Sequence, residues 1–129
     1  MTGPDPAWLI DGNNVLGSRP DGWWRDRRRA TRSLVDDLAA FAARENARVT
    51  VVFDGAPFDV EVPGGAPLEV AFAARGGRDA ADDEIARRVA EAAEPGALRV
   101  VTSDAALARR VRAHGVDVVP AGRFRRDLD

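Results

Sequence analysis

The chain contains 129 residues, which is the size of a single domain with one hydrophobic core. Its 45% hydrophobic and 31% charged residues are typical of a folded globular protein. The absence of cysteine excludes disulfides, zinc–thiolate sites and iron–sulfur clusters, and the absence of lysine excludes a P-loop phosphate site and a Schiff base. A net charge of -2 argues against a protein that holds nucleic acid by bulk charge.

No apolar run approaches the ~20 residues that a membrane-spanning helix needs, and no signal peptide is recognised. We therefore expect a soluble, cytoplasmic protein that does not contact a membrane. We expect one domain over residues 1–129, with a core at about 7–124 and flexible tails at 1–6 and 125–129. The oligomeric state stays open between monomer and homodimer.

The first half of the chain predicts strands separated by one long helix. An apolar run ending at Ile10 predicts a first strand, followed by a turn-forming cluster at 11–14. Helical spacing of apolar residues predicts a helix over 26–45 that stops at Asn46. Further strands are predicted at 49–53 and 68–73, with a short edge segment between them at 58–62.

The second half continues the alternation. A helix is predicted over 82–93, a strand over 98–102 and then a helix that begins after Asp104. Gly115 stands where a left-handed helix cap belongs, and a last strand is predicted over 116–119. Strands that are apolar on both faces and alternate with helices indicate a parallel sheet covered on both sides.

Aspartates follow several of these strands at their carboxyl ends. Asp11 and Asp54 terminate the first two strands, Asp104 follows the fourth, and Asp82 opens the helix after the third. In an open parallel sheet these ends share one rim, which is where such folds bind ligands. Carboxylates held close together raise each other's pKa values unless a cation neutralises them. Without cysteine and with one histidine, the ligands would be hard oxygens, which suit Mg²⁺ or Mn²⁺.

Each of these aspartates, taken alone, also has an ordinary explanation. Asp is common in turns and as the N-cap of a helix. The coincidence at several strand exits, with Arg48 and Arg99 at the amino ends of the same strands, favours a functional cluster instead.

Four motifs carry a resemblance to a known family. They are, in chain order, Leu9-Ile10-Asp11-Gly12-Asn13-Asn14, Val51-Val52-Phe53-Asp54-Gly55, Ala81-Asp82-Asp83-Glu84-Ile85 and Thr102-Ser103-Asp104. Together they resemble the NYN domain family of PIN-like ribonuclease domains, with the bacterial YacP-like branch nearest in character. The resemblance covers the chain from Trp8 to about Phe124.

This resemblance implies an α/β fold, a PIN-like three-layer α/β/α sandwich with a central, mainly parallel five-stranded sheet. It also implies metal-dependent endonuclease activity on single-stranded or structured RNA with Mg²⁺ or Mn²⁺. The residues that it carries over as catalytic acids are Asp11, Asp54, Asp82 and Asp104, with Asn14 as their polar partner.

We expect direct metal coordination by Asp11, Asp82 and Asp104, with Asp54 at the edge of the site or bound through water. Asp83 is a further candidate ligand, because the YacP-like branch often has Ser or another residue there and this chain offers a second carboxylate. Ser103 is expected to support the site.

A cluster of basic and aromatic residues near the start of the long helix is the candidate nucleic-acid contact. Arginines there would meet phosphates, and a tryptophan would stack on bases; a solvated helix face and a tryptophan in the core are the alternatives. The candidate residues are Trp23, Trp24, Arg25, Arg28, Arg29 and Arg32. A second basic group, at positions 123, 125 and 126, is expected to be a frayed tail, and His114 a helix cap.

These observations favour a metal-dependent endoribonuclease that hydrolyses RNA phosphodiester bonds at an acidic site on the carboxyl ends of the strands. The alternative is a module with the same fold that binds RNA or a protein partner and cleaves nothing. Phosphatase or nucleotidase chemistry is the weakest reading, because Asn13 stands where an Asp-x-Asp nucleophile pair would need its second acid.

Overall fold

In a computed structural model of the chain, which describes residues 7–73 and 79–128, five parallel strands form one sheet. The strands are β1 (Ala7–Asp11), β2 (Arg48–Asp54), β3 (Leu68–Ala73), β4 (Leu98–Val101) and β5 (Asp117–Val119). The helices are α1 (Gly12–Leu16), α2 (Arg27–Glu45), α3 (Ala80–Glu91), α4 (Ala105–Arg112) and α5 (Ala121–Leu128). All five predicted strands and the three predicted helices are present.

The strand order is β3-β2-β1-β4-β5. The chain runs outward from β1 to β3, and then from β4 to β5 on the other side, so the order reverses between β1 and β4. In open α/β sheets, ligands bind at the carboxyl ends of the two strands that flank such a reversal. The topology therefore makes the carboxyl ends of β1 and β4 the first place to look for a site.

Alternate residues of the central strands enter two separate cores. Ile10, Val51 and Val101 pack with residues of α1, α2 and α5 on one face. Leu9 and Val100 pack with residues of α3 and α4 on the other. The predicted three-layer α/β/α sandwich is therefore confirmed, with the sheet now seen to be parallel throughout.

The cluster at 11–14 was predicted as a turn, which is wrong: it opens directly into the short helix α1. Glycine and asparagine are poor helix formers, but tertiary contacts outweigh that preference here. Gly12 lies against the Phe53 ring, and the side chains of Asn13 and Asn14 accept hydrogen bonds from the backbone at the last residue of β2 and just beyond β4.

Substitution of Gly12 by alanine is expected to destabilise the fold by about 1–3 kcal/mol. A Cβ at this position would overlap the ring of Phe53, which is buried. The free energy of unfolding from urea titration measures the effect. Gly96→Ala is the matched control, because a Cβ there meets nothing within 4 Å. Equal stability of the two variants would contradict the close packing of α1 on β2.

The expected tail at 125–129 is also wrong for residues 125–128, because α5 continues to Leu128. Phe124 is buried and packs against Trp8 at 5.3 Å and Phe41 at 5.2 Å between ring centroids. This aromatic contact fixes the helix on the sheet despite its three arginines. The expected tail at 1–6, like residue 129, lies outside the described residues.

The edge segment predicted at 58–62 is not a strand. Pro57 and Pro63 flank it, and proline cannot donate to a sheet ladder. Val60 and Val62 pack instead against the core on the α2 face. The alternation of apolar residues in this segment thus reflects packing against the core, and the segment does not pair with a strand.

The two predicted helix ends are confirmed by backbone geometry. Asn46 has a φ of 49° and closes α2, and Gly115 has a φ of 88° after α4. Among the described helices, none is long and apolar enough to cross a membrane.

Candidate active site

The alternation of side chains along the strands places three polar side chains on one face of the sheet. Asp11, Asp54 and Thr102 each stand two residues after a strand residue of the core formed with α3 and α4. Side chains two residues apart along a strand point to the same face. All three therefore lie at the carboxyl ends of the central strands, beside the first turns of α3 and α4.

The two helices add one carboxylate each. Asp82 lies in the first turn of α3, and Asp104 is the N-cap of α4. We call the four carboxylates of Asp11, Asp54, Asp82 and Asp104 the acidic rim. Electrostatic interactions link its members across all four elements, as the pKa values of Asp11 and Asp82 show.

Asp11 is the most deeply buried acid of the rim, with only 4% of its surface exposed. Its pKa is raised from 3.8 to about 6, first by burial and then by the negative charges of Asp82 and Asp54. A hydrogen bond from Thr102 opposes this rise but does not cancel it. A carboxylate in this state is stabilised by any cation that reaches it.

Thr102 holds Asp11 in one orientation. Its hydroxyl donates to Asp11 Oδ2 at 3.0 Å and accepts the backbone N–H of Asp104 at 3.1 Å. Because the acceptor role is taken by that N–H, the hydroxyl proton is directed to Asp11. Sequence analysis placed Thr102 in a motif but gave it no role, although its position two residues after Val100 was a usable signal.

The pKa of Asp82 is also raised to about 6, first by burial and then by the charges of Asp104, Asp79 and Asp54. Arg110 acts in the opposite direction and lowers it. The effect of Asp79 on the pKa of Asp82 was not predicted, because Asp79 was not among the predicted site residues.

Asp54 and Asp104 are each tied to the start of a helix. Asp54 Oδ1 accepts the backbone N–H of Ala81 at 2.9 Å, and Asp104 Oδ1 accepts that of Leu107 at 2.9 Å. The ordinary capping explanation thus applies to Asp104, whose bond to Leu107 is a true N-cap. In both residues one oxygen is occupied by the fold.

Two asparagine amides and a serine connect the strand ends. Asn13 Oδ1 accepts the backbone N–H of Asp54 at 2.7 Å, and Asn14 Oδ1 accepts that of Ser103 at 2.6 Å. Ser103 Oγ in turn accepts the backbone N–H of Ala121 at 2.9 Å. Asn14 and Ser103 were expected to support the site, whereas the matching role of Asn13 was missed.

Asp83 contacts a cation of the neighbouring helix α4. Its side chain is 63% exposed and forms an ion pair with Arg110, with Nη1 and Oδ1 3.0 Å apart. This geometry sets it beside the acidic rim, in contact with a cation.

The donor set of the rim suits a hard cation, because two of its carboxylates are held with raised pKa values by burial and like charge. Within residues 7–73 and 79–128, however, no three acidic or histidine side chains form a group that could hold a metal ion. The chemistry of the rim thus fits Mg²⁺ or Mn²⁺, while its arrangement lacks a complete ligand group.

The candidate RNA-contact residues lie in a short 3-10 helix, Trp23–Arg25, and in the first two turns of α2, which runs back from the carboxyl side of the sheet to the start of β2. Trp24 is 53% exposed, whereas Trp23 packs against the core. Arg28 and Arg32 lie over the Phe58 ring at 5.0 and 5.3 Å. Arg25 and Arg29 are exposed there too. Phe58 was not foreseen.

The other basic residues lie elsewhere. His114 is exposed just beyond α4. Arg125, expected in a frayed tail, is mostly buried on α5 with Nη1 3.9 Å from Asp37 Oδ2. Arg123 and Arg126 are exposed on the same helix.

A cavity of about 790 Å³ lies at the opposite, amino ends of the strands and is lined by Ala7, Arg48 and Leu98, among others. It contains no residue of the acidic rim. The rim is accordingly distinct from this cavity.

The model of the YacP-like NYN domain matches residues 8–129. A crystal structure of a single-residue variant of Rae1 (YacP) from Bacillus subtilis aligns with a TM-score of 0.75 and 25% identity, covering 95% of this chain and 74% of that one. A second structure of Rae1 (YacP) from Bacillus subtilis aligns with a TM-score of 0.75 and 23% identity, covering 95% and 72%. No curated protein sequence matches the chain. The chain, whose fold and family match agree over nearly its whole length, belongs to the YacP-like NYN domain family.

Proposed function

We propose that this protein is a metal-dependent endoribonuclease that hydrolyses RNA phosphodiester bonds at the acidic rim. The family is one of PIN-like nuclease domains, which supports nuclease chemistry. The lack of cysteine fits action in the reducing cytoplasm.

The observation that carries the proposal is the state of Asp11. A carboxylate buried at the strand-order reversal, with its pKa raised to about 6 by burial and by neighbouring acids, costs the fold stability. Such a cost is typical of a functional site, where strongly perturbed pKa values concentrate. A purely structural turn would not need Asp82 and Asp54 so close to it.

The residues of the rim would share the work. Asp11, oriented by Thr102, and Asp82 keep carboxylate oxygens for an ion, while Asp54 and Asp104 contribute from positions fixed by α3 and α4. Bound Mg²⁺ or Mn²⁺ would activate a water molecule and offset charge on the phosphate. No side chain of the rim needs to form a covalent bond with the substrate.

RNA would reach the rim from the amino end of α2. The exposed Trp24 offers a stacking surface, which is sequence-tolerant because every base has a π face. Arg25 and Arg29 are free to meet phosphates beside it, while Arg28 and Arg32 are held over Phe58. Trp23 would support this surface from the core side.

The test is cleavage of single-stranded and of structured RNA by the purified chain, with Mn²⁺, with Mg²⁺ and with chelator. We expect internal cleavage with either metal and none with chelator. Cleavage that persists in chelator would contradict the metal-dependent mechanism.

One observation favours a second candidate, a module that binds RNA without cleaving it. In the part of the chain that the structure describes, no three acidic side chains form a metal-binding group. RNA binding without cleavage in any metal would select this candidate and reject the endoribonuclease.

A further inference from the structure

Arg110 is a cation placed beside the acidic rim, and the proposed function gives it no task. We propose that Arg110 binds a phosphate group of the RNA strand next to the rim, and that Asp83 is the residue that positions it. This inference rests on the proposed function in that it takes RNA as the substrate.

The position of Arg110 follows from helix geometry. It lies on α4, and the Cα–Cβ bonds of a helix tilt toward its amino end, which for α4 is the end at the rim. Its guanidinium reaches the first turn of α3, where Nη1 lies 3.0 Å from Asp83 Oδ1. The long side chain thus returns to the level of the carboxylates.

The contact partner of Arg110 lies next to the rim. Asp83 follows Asp82 directly in the first turn of α3, and Nη1 of Arg110 reaches the Asp83 carboxylate. A phosphate that approaches Asp82 therefore approaches Arg110 as well.

The ion pair with Asp83 leaves Arg110 free to bind a ligand. Half of the Arg110 side chain is exposed, and exposed ion pairs contribute little to stability. Guanidinium has five N–H donors in a planar fork that suits phosphate, and Asp83 engages one of its nitrogens. The pair is therefore better explained as orientation of the fork than as a support for the fold.

A cation beside the rim would offset the repulsion between this acidic chain and RNA. The net charge is -2 and the rim is negative, so a polyanionic strand is repelled unless individual cations guide it. Arg28 and Trp24 lie on the α2 side of the sheet, and Arg110 lies on the α4 side. A strand that contacts both sides passes over the carboxylates between them.

The test compares Arg110→Ala with Arg109→Ala, which removes the same charge from the neighbouring exposed position of α4. Binding of a fluorescein-labelled single-stranded RNA is measured by anisotropy in chelator over a range of salt concentrations. We expect Arg110→Ala to weaken binding about tenfold and Arg109→Ala much less. The slope of log K against log salt should fall by about 0.7 in Arg110→Ala, the value for one phosphate contact on a single strand.

The role of Asp83 is tested by a double-mutant cycle. If Asp83 positions Arg110, removal of Arg110 should weaken binding less in the Asp83→Asn background than in the wild-type background. An equal loss in both backgrounds would reject the positioning role.

The outcomes separate this inference from the nuclease proposal. Normal metal-dependent cleavage, with Arg110→Ala and Arg109→Ala equal in affinity and salt slope, would overturn the inference alone. Absent cleavage with the expected loss of affinity in Arg110→Ala would overturn the nuclease proposal alone. A wild-type chain that neither binds nor cleaves RNA would overturn both. Thermal melting of the two variants should match, because both arginines are exposed.

Discussion

Replacement of Asp11 by asparagine is expected to lower metal-dependent RNA cleavage about 10³-fold or more, since a lost metal-ion contribution of several kcal/mol corresponds to that factor. The fold should survive, because asparagine can still accept the hydroxyl proton of Thr102. Asp11 is the decisive residue of the rim because it is the most deeply buried of the four carboxylates. Single-turnover cleavage of labelled RNA in Mn²⁺ measures the loss.

The matched control is Asp117→Asn, the same substitution at an exposed carboxylate at the amino end of β5. It should cleave at the wild-type rate. If Asp11→Asn cleaves as fast as the control while both are folded, the acidic rim is not the active site.

Metal-free protein is expected to lose stability as pH rises from about 4 to about 6, because Asp11 and Asp82 must ionise in the folded state. Both have a folded-state pKa of about 6 against 3.8 for the free group, so the folded state binds more protons in this range. The stabilisation is complete below the unfolded pKa and is lost as pH passes the folded one. For the buried Asp11 this amounts to about 3 kcal/mol.

The measurement is the free energy of unfolding in chelator at several pH values, for wild type and Asp11→Asn. At pH 4 the two should be nearly equal, and at pH 7.5 the variant should be the more stable by about 1–3 kcal/mol. Saturating Mn²⁺ at pH 7.5 should then stabilise wild type more than the variant, because a ligand that binds only the native state adds to its stability. A difference between variant and wild type that does not change with pH would contradict the raised pKa.

The sheet could be predicted from sequence because its central strands are apolar on both faces. Residues such as Val51 and Val52 leave few alternatives to a buried parallel strand. The helix α5 was missed because only Ala121, Phe124 and Leu128 mark its apolar side among arginines. Those three positions have helical spacing, but so short a pattern predicts a helix only weakly. The contact of Phe124 with Trp8, which holds the helix on the sheet, is not visible in the sequence.

The rim was predictable to the level of which residues stand near it, because parallel strands bring their carboxyl ends together. The direction in which each side chain points could not be predicted from the sequence. Asp82 and Asp83 are adjacent on α3, and neighbouring residues on a helix point about 100° apart. The direction of each side chain depends on how α3 packs against the sheet, and the structure places Asp83 in contact with Arg110.

The hydrogen bonds of Asn13 and Thr102 were missed for a similar reason. Both join residues that are far apart in sequence, Asn13 to Asp54 and Thr102 to Asp11. Their residue types fit many roles in a turn, so their partners become visible only once β1, β2 and β4 are placed side by side.

The alternation of side chains along β1 directs Asp11 to one face of the sheet. It also limits which insertions and deletions this strand can accept. Loss of a single codon within β1 would leave a strand of nearly the same hydrophobicity, yet every side chain before the deletion would exchange faces relative to Asp11. The strand could restore its two cores only by turning the carboxylate toward α1 and α2, away from Asp82. Substitutions can therefore adjust the rim one residue at a time, whereas insertions and deletions in β1 must sacrifice either packing or chemistry. Length variation should be confined to the connections between elements.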